Sequence, residues 1–221
     1  MDYYEQLYHS TDIAMILDNI NGVLNKAEKG MLRGCHGRHH AMFVVGTVEY
    51  LLTSLSYDSK TVEFGKIAAL LHDIGNISGR RNHARKSAAL AVVFLDEMEG
   101  ISSTEKNMIV QAISDHTDGE NIISPIGAAL LLADKVDVSQ RRRLHKEPID
   151  NWYSNLLQIE DIDIRILGTQ IMINFITTES FDKEAFENGY RKNFNLITKA
   201  AEYLGCSCKY YFNEMKYLEI L

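Results

Sequence analysis

The chain has 221 residues, of which 46% are hydrophobic and 24% are charged. These values are typical of a globular protein with one sizeable core, or one core and a small appendage. Its 23 basic and 30 acidic residues give a formal net charge of −7. This negative net charge argues against a protein that binds nucleic acid through an overall positive charge, so we expect no nucleic-acid partner. Small phosphate esters need only a local basic cluster and stay open as ligands.

The sequence predicts a soluble, cytoplasmic protein without a membrane partner. The polar N-terminus from Met1 to Glu5 lacks the apolar run of a signal peptide. No apolar stretch approaches the roughly 20 residues of a membrane span. The three cysteines are not spaced as a disulfide framework. Cys206 and Cys208 are interpreted as alternating strand residues, because no second Cys/His pair completes a four-ligand site.

Up to Pro148 the chain carries a predominantly helical pattern. Apolar residues recur at helical spacing, Gly75 and Gly79 interrupt that pattern, and Pro125 suits the first turn of a helix. We predict helices over 11–26, from about 40 through 52, and over 61–72, 83–98, 103–115 and 125–139.

After Pro148 the pattern changes to strands. Residues 161–167 alternate polar and apolar side chains, Gly168 turns the chain, and residues 170–176 form a second strand. A helix capped by Asp182 follows to about residue 204, and residues 206–212 form a third strand. The prediction is a mainly α protein, with an all-helical domain over 1–148 and a small α+β (ββαβ) extension over 149–221. Its sheet either covers the helical domain or pairs with a second subunit in a homodimer.

The adjacent residues His72 and Asp73 follow the apolar run Ile67–Leu71 at the end of the helix predicted over 61–72. A buried aspartate after such a run is costly unless its charge is matched, and a metal would match it. Taken alone, the pair is better explained as polar capping residues at a helix C-terminus. The distribution of other candidate ligands favours a metal: His40 and His83 open helices, His116 closes one, and Asp134 lies inside an apolar helix.

At these residues the sequence resembles the HD superfamily of metal-dependent phosphohydrolases. The order H…HD…H…H…D covers roughly residues 36–140, and 32 residues separate His40 from His72. The matching segments are His40–Val45, Ala68–Asn76, Ile113–His116 and Leu132–Asp137. The segment His83–Ser87 is similar to the extra histidine segment of two-metal members.

The resemblance implies an all-helical HD domain with a binuclear metal centre. His40, His72, Asp73 and Asp134 would hold one metal, and Asp73 would bridge to a second metal on His83 and His116. Nitrogen and carboxylate ligands suit Fe, Mn, Zn or Co, with Mg less favoured. Such a pair of metals activates a bridging hydroxide that attacks phosphorus.

The sequence also departs from the family pattern. Asn76 stands where a lysine is common, and Asp115-His116 stands where the HD-GYP branch has two histidines. That branch's Gly-Tyr-Pro segment is absent, so hydrolysis of cyclic di-GMP is not supported. Asp115 stays a candidate ligand or base. His39 competes with His40 for the first ligand position, and we favour His40; His36 and His39 are expected in a loop at the mouth of the site.

Basic residues near these motifs are candidates for binding a phosphate. Lys135 adjoins a candidate ligand and is often basic in the family, so it is predicted to reach the substrate. The guanidinium group of arginine binds phosphate oxygens bidentately. Each of the basic residues named below could equally be a solvated surface charge. The candidates are Arg80, Arg81, Arg85 and Lys86, and Arg141 in the cluster 141–143.

We therefore predict a phosphohydrolase that acts on a nucleotide or another small phosphorylated metabolite. The same ligands resemble those of di-iron HD oxygenases, which cleave C–C or C–P bonds with O₂. The third hypothesis is a sensor that binds a nucleotide without catalysis. A pure binder has no need to keep all six ligands, so their presence argues against the sensor.

Overall fold

The computed structural model describes residues 2–28, 34–119, 121–144 and 150–213. Within these ranges the chain is mainly helical and ends in a small α+β extension, as predicted. The helices are α1 (Tyr3–Tyr8), α2 (Thr11–Ala27), α3 (Arg38–Ser54), α4 (Ser59–Leu71), α5 (His83–Asp96), α6 (Ser103–Asp115), α7 (Pro125–Val136), α8 (Asn151–Leu156) and α9 (Lys183–Tyr203), and short 3₁₀ turns cover Ile74–Ser78 and Gln140–Arg142.

Side-chain caps explain where several helices begin. Ser102 accepts a hydrogen bond from the main-chain N–H of Glu105, and the carboxylate of Glu105 accepts one from the main-chain N–H of Ser102, so the start of α6 is a capping box. The predicted cap Asp182 accepts from the N–H of Ala185. The six-residue helices α1 and α8 were not predicted, because neither is long enough to show a period.

The extension has the predicted ββαβ order. Strands β1 (Ile159–Leu167) and β2 (Gln170–Thr177) form an antiparallel hairpin, and β3 (Ser207–Phe212) pairs parallel to β2 after α9. Gly168 in the hairpin turn has a φ of 58°, a conformation that favours glycine.

The extension packs directly on the helical part of the chain. Helix α7 contacts α3, α4 and α6 in the core, and α9 packs against the same helix α7. The predicted boundary at residue 148 lies outside the described residues. Among the helices that are described, none has both the length and the apolar character needed to cross a bilayer. The contact of α9 with α7 brings the extension to the ends of the helices that carry the candidate ligands.

Candidate metal centre

Two histidines lie directly after the ends of helices. His72 follows α4 and His116 follows α6, and both side chains are buried. Their Nδ1 atoms lie 2.7 and 2.6 Å from the main-chain oxygens of Ala69 and Ile113. A carbonyl oxygen only accepts, so Nδ1 carries the proton and Nε2 presents a lone pair. The main-chain oxygens at the two helix ends thus orient both imidazoles with Nε2 free to bind a metal.

Two further histidines lie at helix starts. His83 begins α5, and its Nδ1 lies 3.2 Å from the carbonyl oxygen of Arg80. His40 lies in the first turn of α3, and its Nδ1 lies 2.7 Å from Asp137 Oδ2. A carboxylate also accepts, so these bonds again leave Nε2 as the atom able to bind a metal.

The four imidazoles converge on one point. Ring centroids are 5.0 Å apart for His40 and His72, 5.0 Å for His72 and His116, and 5.2 Å for His83 and His116. The Nε2 atoms of His40 and His72 are 3.1 Å apart, a distance at which two lone pairs repel unless a proton or a cation lies between them. Burial lowers the pKa of His72, and it lowers the pKa of His116 to about 3. The rings of His72 and His116 are therefore neutral, as metal ligands must be.

The carboxylate of Asp73 lies between two pairs of imidazoles. Its Oδ1 is 3.3 Å from His83 Nε2 and 3.9 Å from His116 Nε2. Its Oδ2 is 3.6 Å from the Nε2 atoms of both His40 and His72. Burial alone raises the pKa of Asp73, but the neighbouring imidazoles outweigh it and hold this pKa well below its usual range. Each oxygen of this ionised carboxylate thus serves a different pair of nitrogens.

Asp134 extends from α7 toward one of these pairs. Its Oδ1 lies 3.2 Å from His40 Nε2 and 3.9 Å from His72 Nε2, and its Oδ2 accepts a 2.6 Å hydrogen bond from Lys135 Nζ. Burial raises the pKa of Asp134, but Lys135 and His40 together hold it well below its usual range. The group is therefore ionised and available as a ligand.

The donor set fits a cation such as Fe, Mn, Zn or Co better than Mg, because it is rich in imidazole nitrogen. Two ionised carboxylates in one buried cluster are costly without positive charge beside them. In the described part of the chain, three groups place one ligand atom per residue within 4.8 Å of each other: His36, His40 and Asp73; His40, His72 and Asp134; and His72, Asp73 and His116.

Two residues hold Asp73 in place. Asn76 donates a 2.7 Å hydrogen bond from Nδ2 to Asp73 Oδ1. His36 Nδ1 lies 2.7 Å from Asp73 Oδ2, and its Nε2 contacts the guanidinium of Arg80. Since that guanidinium only donates, Nδ1 of His36 carries the proton and donates to Asp73. His36 therefore links Arg80 to Asp73, and burial lowers its pKa to about 3.

The two histidines expected in a loop at the mouth of the site differ from each other. His36 lies in the loop before α3 and lines a cavity beside the ligands, although its side chain is buried. His39 lies in α3, not in a loop, and is exposed. A Cβ on Gly37 would come within 2.5 Å of the main-chain oxygen of Leu17. Glycine thus allows the loop to run against α2, and the structure brings His40, not His39, into the cluster.

A cavity of about 560 Å³ opens onto these ligands, a size that suits a small molecule. Of the basic residues proposed from the sequence, Arg80 and Lys135 line it. Arg142 and Arg143, which the sequence reasoning did not choose, line it as well. Arg142 is held in place by hydrogen bonds from Nε to Cys35 O and from an Nη atom to Asp137 O, both 2.9 Å long.

Four of the basic residues predicted to bind substrate do not line this cavity. Arg81 and Arg85 are exposed, because they lie on the outer side of the turn into α5. Lys86 Nζ instead donates to the carbonyl oxygens of a 3₁₀ turn, at Ser78 and Gly79. Arg141 donates to Asp161 on β1, at 2.6 Å. These residues act as surface or structural charges.

Asp115 also faces away from the centre. Although it precedes His116, adjacent helical residues point about 100° apart, and its Oδ2 accepts a 2.6 Å hydrogen bond from Gln111. It does not line the cavity. The structure therefore does not support Asp115 as a ligand or base.

The far wall of the cavity comes from the C-terminal extension. Trp152 and Leu156 from α8 line it together with Gly189, Tyr190 and Asn193 from α9. The hydroxyl of Tyr190 donates to the main-chain oxygen of Lys135. That contact fixes α9 beside the metal-side wall, so the extension forms part of the site.

Asp137 is a positioning residue that the sequence reasoning missed, although it lies one helical turn after Asp134. We predict that Asp137→Asn lowers metal affinity about 10- to 100-fold, because the hydrogen bond that orients His40 loses its charge. Competition with a chelator measures this change. Asp96→Asn is the control, since this carboxylate is 70% exposed; equal affinities in the two variants would contradict the role.

Comparisons with known proteins find similarity to solved structures. No family model matches the chain, and no match is found among curated proteins. The chain is similar to the solved structure of a predicted HD superfamily hydrolase from an uncultured Thermotogales bacterium, with 22% identity over 63% of this chain and 75% of that chain and a TM-score of 0.44. A likeness at this level does not establish a shared reaction.

Proposed function

We propose that this protein is an HD-type, metal-dependent phosphohydrolase that acts on a small phosphate ester with two bound cations. The observation that carries the proposal is the position of Asp73. Its two oxygens face different imidazole pairs, His83 with His116 and His40 with His72. This is the arrangement expected of a carboxylate that bridges two metals, with Asp134 completing one side.

The residues around the cavity favour an anionic substrate. Lys135 and the arginines Arg80, Arg142 and Arg143 surround an opening whose base holds the ligand carboxylates. Once cations neutralise those carboxylates, the surplus positive charge attracts phosphate oxygens. The bound cations would supply Lewis acidity and charge stabilisation for hydrolysis.

The chain's own residues then position the substrate. Arg142 is fixed by its main-chain partners, so its guanidinium is pre-oriented at the cavity wall. Lys135 is held at the cavity edge by Asp134, where its ammonium can bind a phosphate oxygen. The volume of the cavity fits a small ester.

Anaerobic phosphate release tests this proposal. The protein is purified with and without O₂, loaded with Mn²⁺, Fe²⁺ or Zn²⁺, and screened against phosphate mono- and diesters. We expect phosphate release in the absence of O₂ and its loss after chelation, with recovery when the metal returns. Oxygen uptake without phosphate release would establish the oxygenase reading instead. Ligand binding without either reaction, in metal-loaded protein, would establish the sensor.

A further inference from the structure

The cavity has two chemically different sides. The side formed by the helical domain carries the candidate metal ligands and basic side chains, among them Arg80, Lys135 and Arg142. The side formed by the extension presents the indole of Trp152, the apolar Leu156 and the amide of Asn193. The proposed function places the phosphate at the first side, which leaves the second side for the part of the substrate that does not react.

The indole of Trp152 lies flat on helix α9. Its ring is stacked on Phe186, with centroids 5.9 Å apart and an angle of 8° between the planes. It also lies against Gly189, where an added Cβ would come within 2.3 to 2.8 Å of three indole carbons. Phe186 and Gly189 are one turn apart on the same helix, so they cover the same side of the ring. The indole is half-buried, and Trp152 lines the cavity.

We propose that Trp152 is the binding platform for a planar ring in the non-reacting part of the substrate, and that Gly189 sets the depth of this subsite. The inference rests on the proposed function, because it assumes that the phosphate of the same molecule binds beside the metal ligands and the basic side chains. The substrate class is a phosphate ester that carries an aromatic or heteroaromatic ring. Such a ring stacks on the indole face, as aromatic pairs do in an offset arrangement.

Gly189 is required because the indole cannot retreat. Phe186 supports the ring on the side of α9, so a methyl group at position 189 must push the ring into the cavity. Gly189→Ala therefore shortens the space for a planar ring. The space among Arg80, Lys135 and Arg142 stays unchanged.

Fluorescence tests the platform directly, because Trp152 is the sole tryptophan of the chain. The metal-loaded protein is titrated without O₂ with phenylphosphonate and with cyclohexylphosphonate. The two ligands share the anionic group and similar size, and phosphate-ester hydrolysis cannot cleave their P–C bonds. We expect phenylphosphonate to change the tryptophan emission and to bind at least about fivefold more tightly, which is the scale of one aromatic stacking contact. Equal affinities, or unchanged emission on binding, would overturn the proposal.

Three variants distinguish the loss of ring stacking from a general loss of binding. Calorimetry measures the affinity of each variant for the ligands. Trp152→Leu is expected to remove the preference for phenylphosphonate. Gly189→Ala is expected to weaken phenylphosphonate about tenfold while the affinity for inorganic phosphate stays within twofold. Tyr203→Leu, which changes an exposed aromatic residue of α9, is the control that keeps the preference.

The double variant Gly189→Ala with Trp152→Leu shows whether the effect of Gly189→Ala arises from its contact with the indole or from misfolding. Without the indole the added methyl group meets no ring, so the double variant should unfold at a higher temperature than Gly189→Ala alone. The outcomes also separate the two proposals. Hydrolysis of esters without any preference for a planar ring overturns the platform alone, whereas a phenylphosphonate preference in a protein that hydrolyses no ester overturns the proposed function alone.

Discussion

Asp73→Ala is expected to abolish phosphate release, with a loss on the order of 10³-fold or more. The substitution removes the carboxylate that faces both imidazole pairs, so it weakens both halves of the centre. It also leaves the side chains of His36 and Asn76 without their buried acceptor. Initial rates on the best ester from the screen, at saturating metal, measure the loss.

Two matched variants show whether that loss arises from the bridge. Asp73→Asn keeps the shape but removes the charge, so it should lose nearly as much activity as Asp73→Ala. Asp115→Asn changes a carboxylate next to His116 that faces Gln111, and it should stay within about threefold of the wild type in rate. Full activity in Asp73→Ala would refute the proposed function.

Arg142→Ala is expected to destabilise the protein by about 3 kcal/mol, as the loss of one partner from a buried ion pair does. The guanidinium bonds the main-chain oxygens of Cys35 and Asp137 and lies 4.0 Å from the Asp137 carboxylate. Its loss releases the loop that carries His36 and leaves Asp137 less well compensated. For a chain of this size, the midpoint of thermal unfolding should fall by roughly 10 °C.

Arg141→Ala is the matched control for that experiment. Its side chain is 59% exposed and pairs with the exposed carboxylate of Asp161, so its removal should cost less than about 1 kcal/mol. Arg142→Lys should fall between the two, because an ammonium cannot reproduce the fork of hydrogen bonds. Equal unfolding temperatures for Arg141→Ala and Arg142→Ala would contradict the structural role of Arg142.

Much of the fold was predictable because its signals are local. The apolar periodicity of α4 and α7, the cap at Asp182 and the glycine turn at Gly168 all depend on neighbouring residues. The end of α7 was predicted three residues too late. The chain leaves the helix at Asp137, whose side chain bonds His40 from a distant helix, and no local pattern encodes that contact.

The candidate site was predictable where a motif fixes a residue, and not where packing decides. His72 and Asp73 were chosen because a buried aspartate after an apolar run needs a matching charge. Among the arginines at 141–143, Arg141 was chosen, although no local signal distinguishes it from its two neighbours. The 3₁₀ turn over Gln140–Arg142 directs Arg141 to β1, while Arg142 reaches the buried loop at Cys35. That choice depends on tertiary contacts.

The metal content of the protein tests the central claim most directly. Elemental analysis of anaerobically purified protein, after loading with Mn²⁺ or Fe²⁺ and removal of free metal, gives the number of ions per chain. The two-sided contacts of Asp73 predict close to two equivalents in the wild type and a clear loss in Asp73→Ala. A wild-type protein that retains one equivalent or none under these conditions would contradict the binuclear centre.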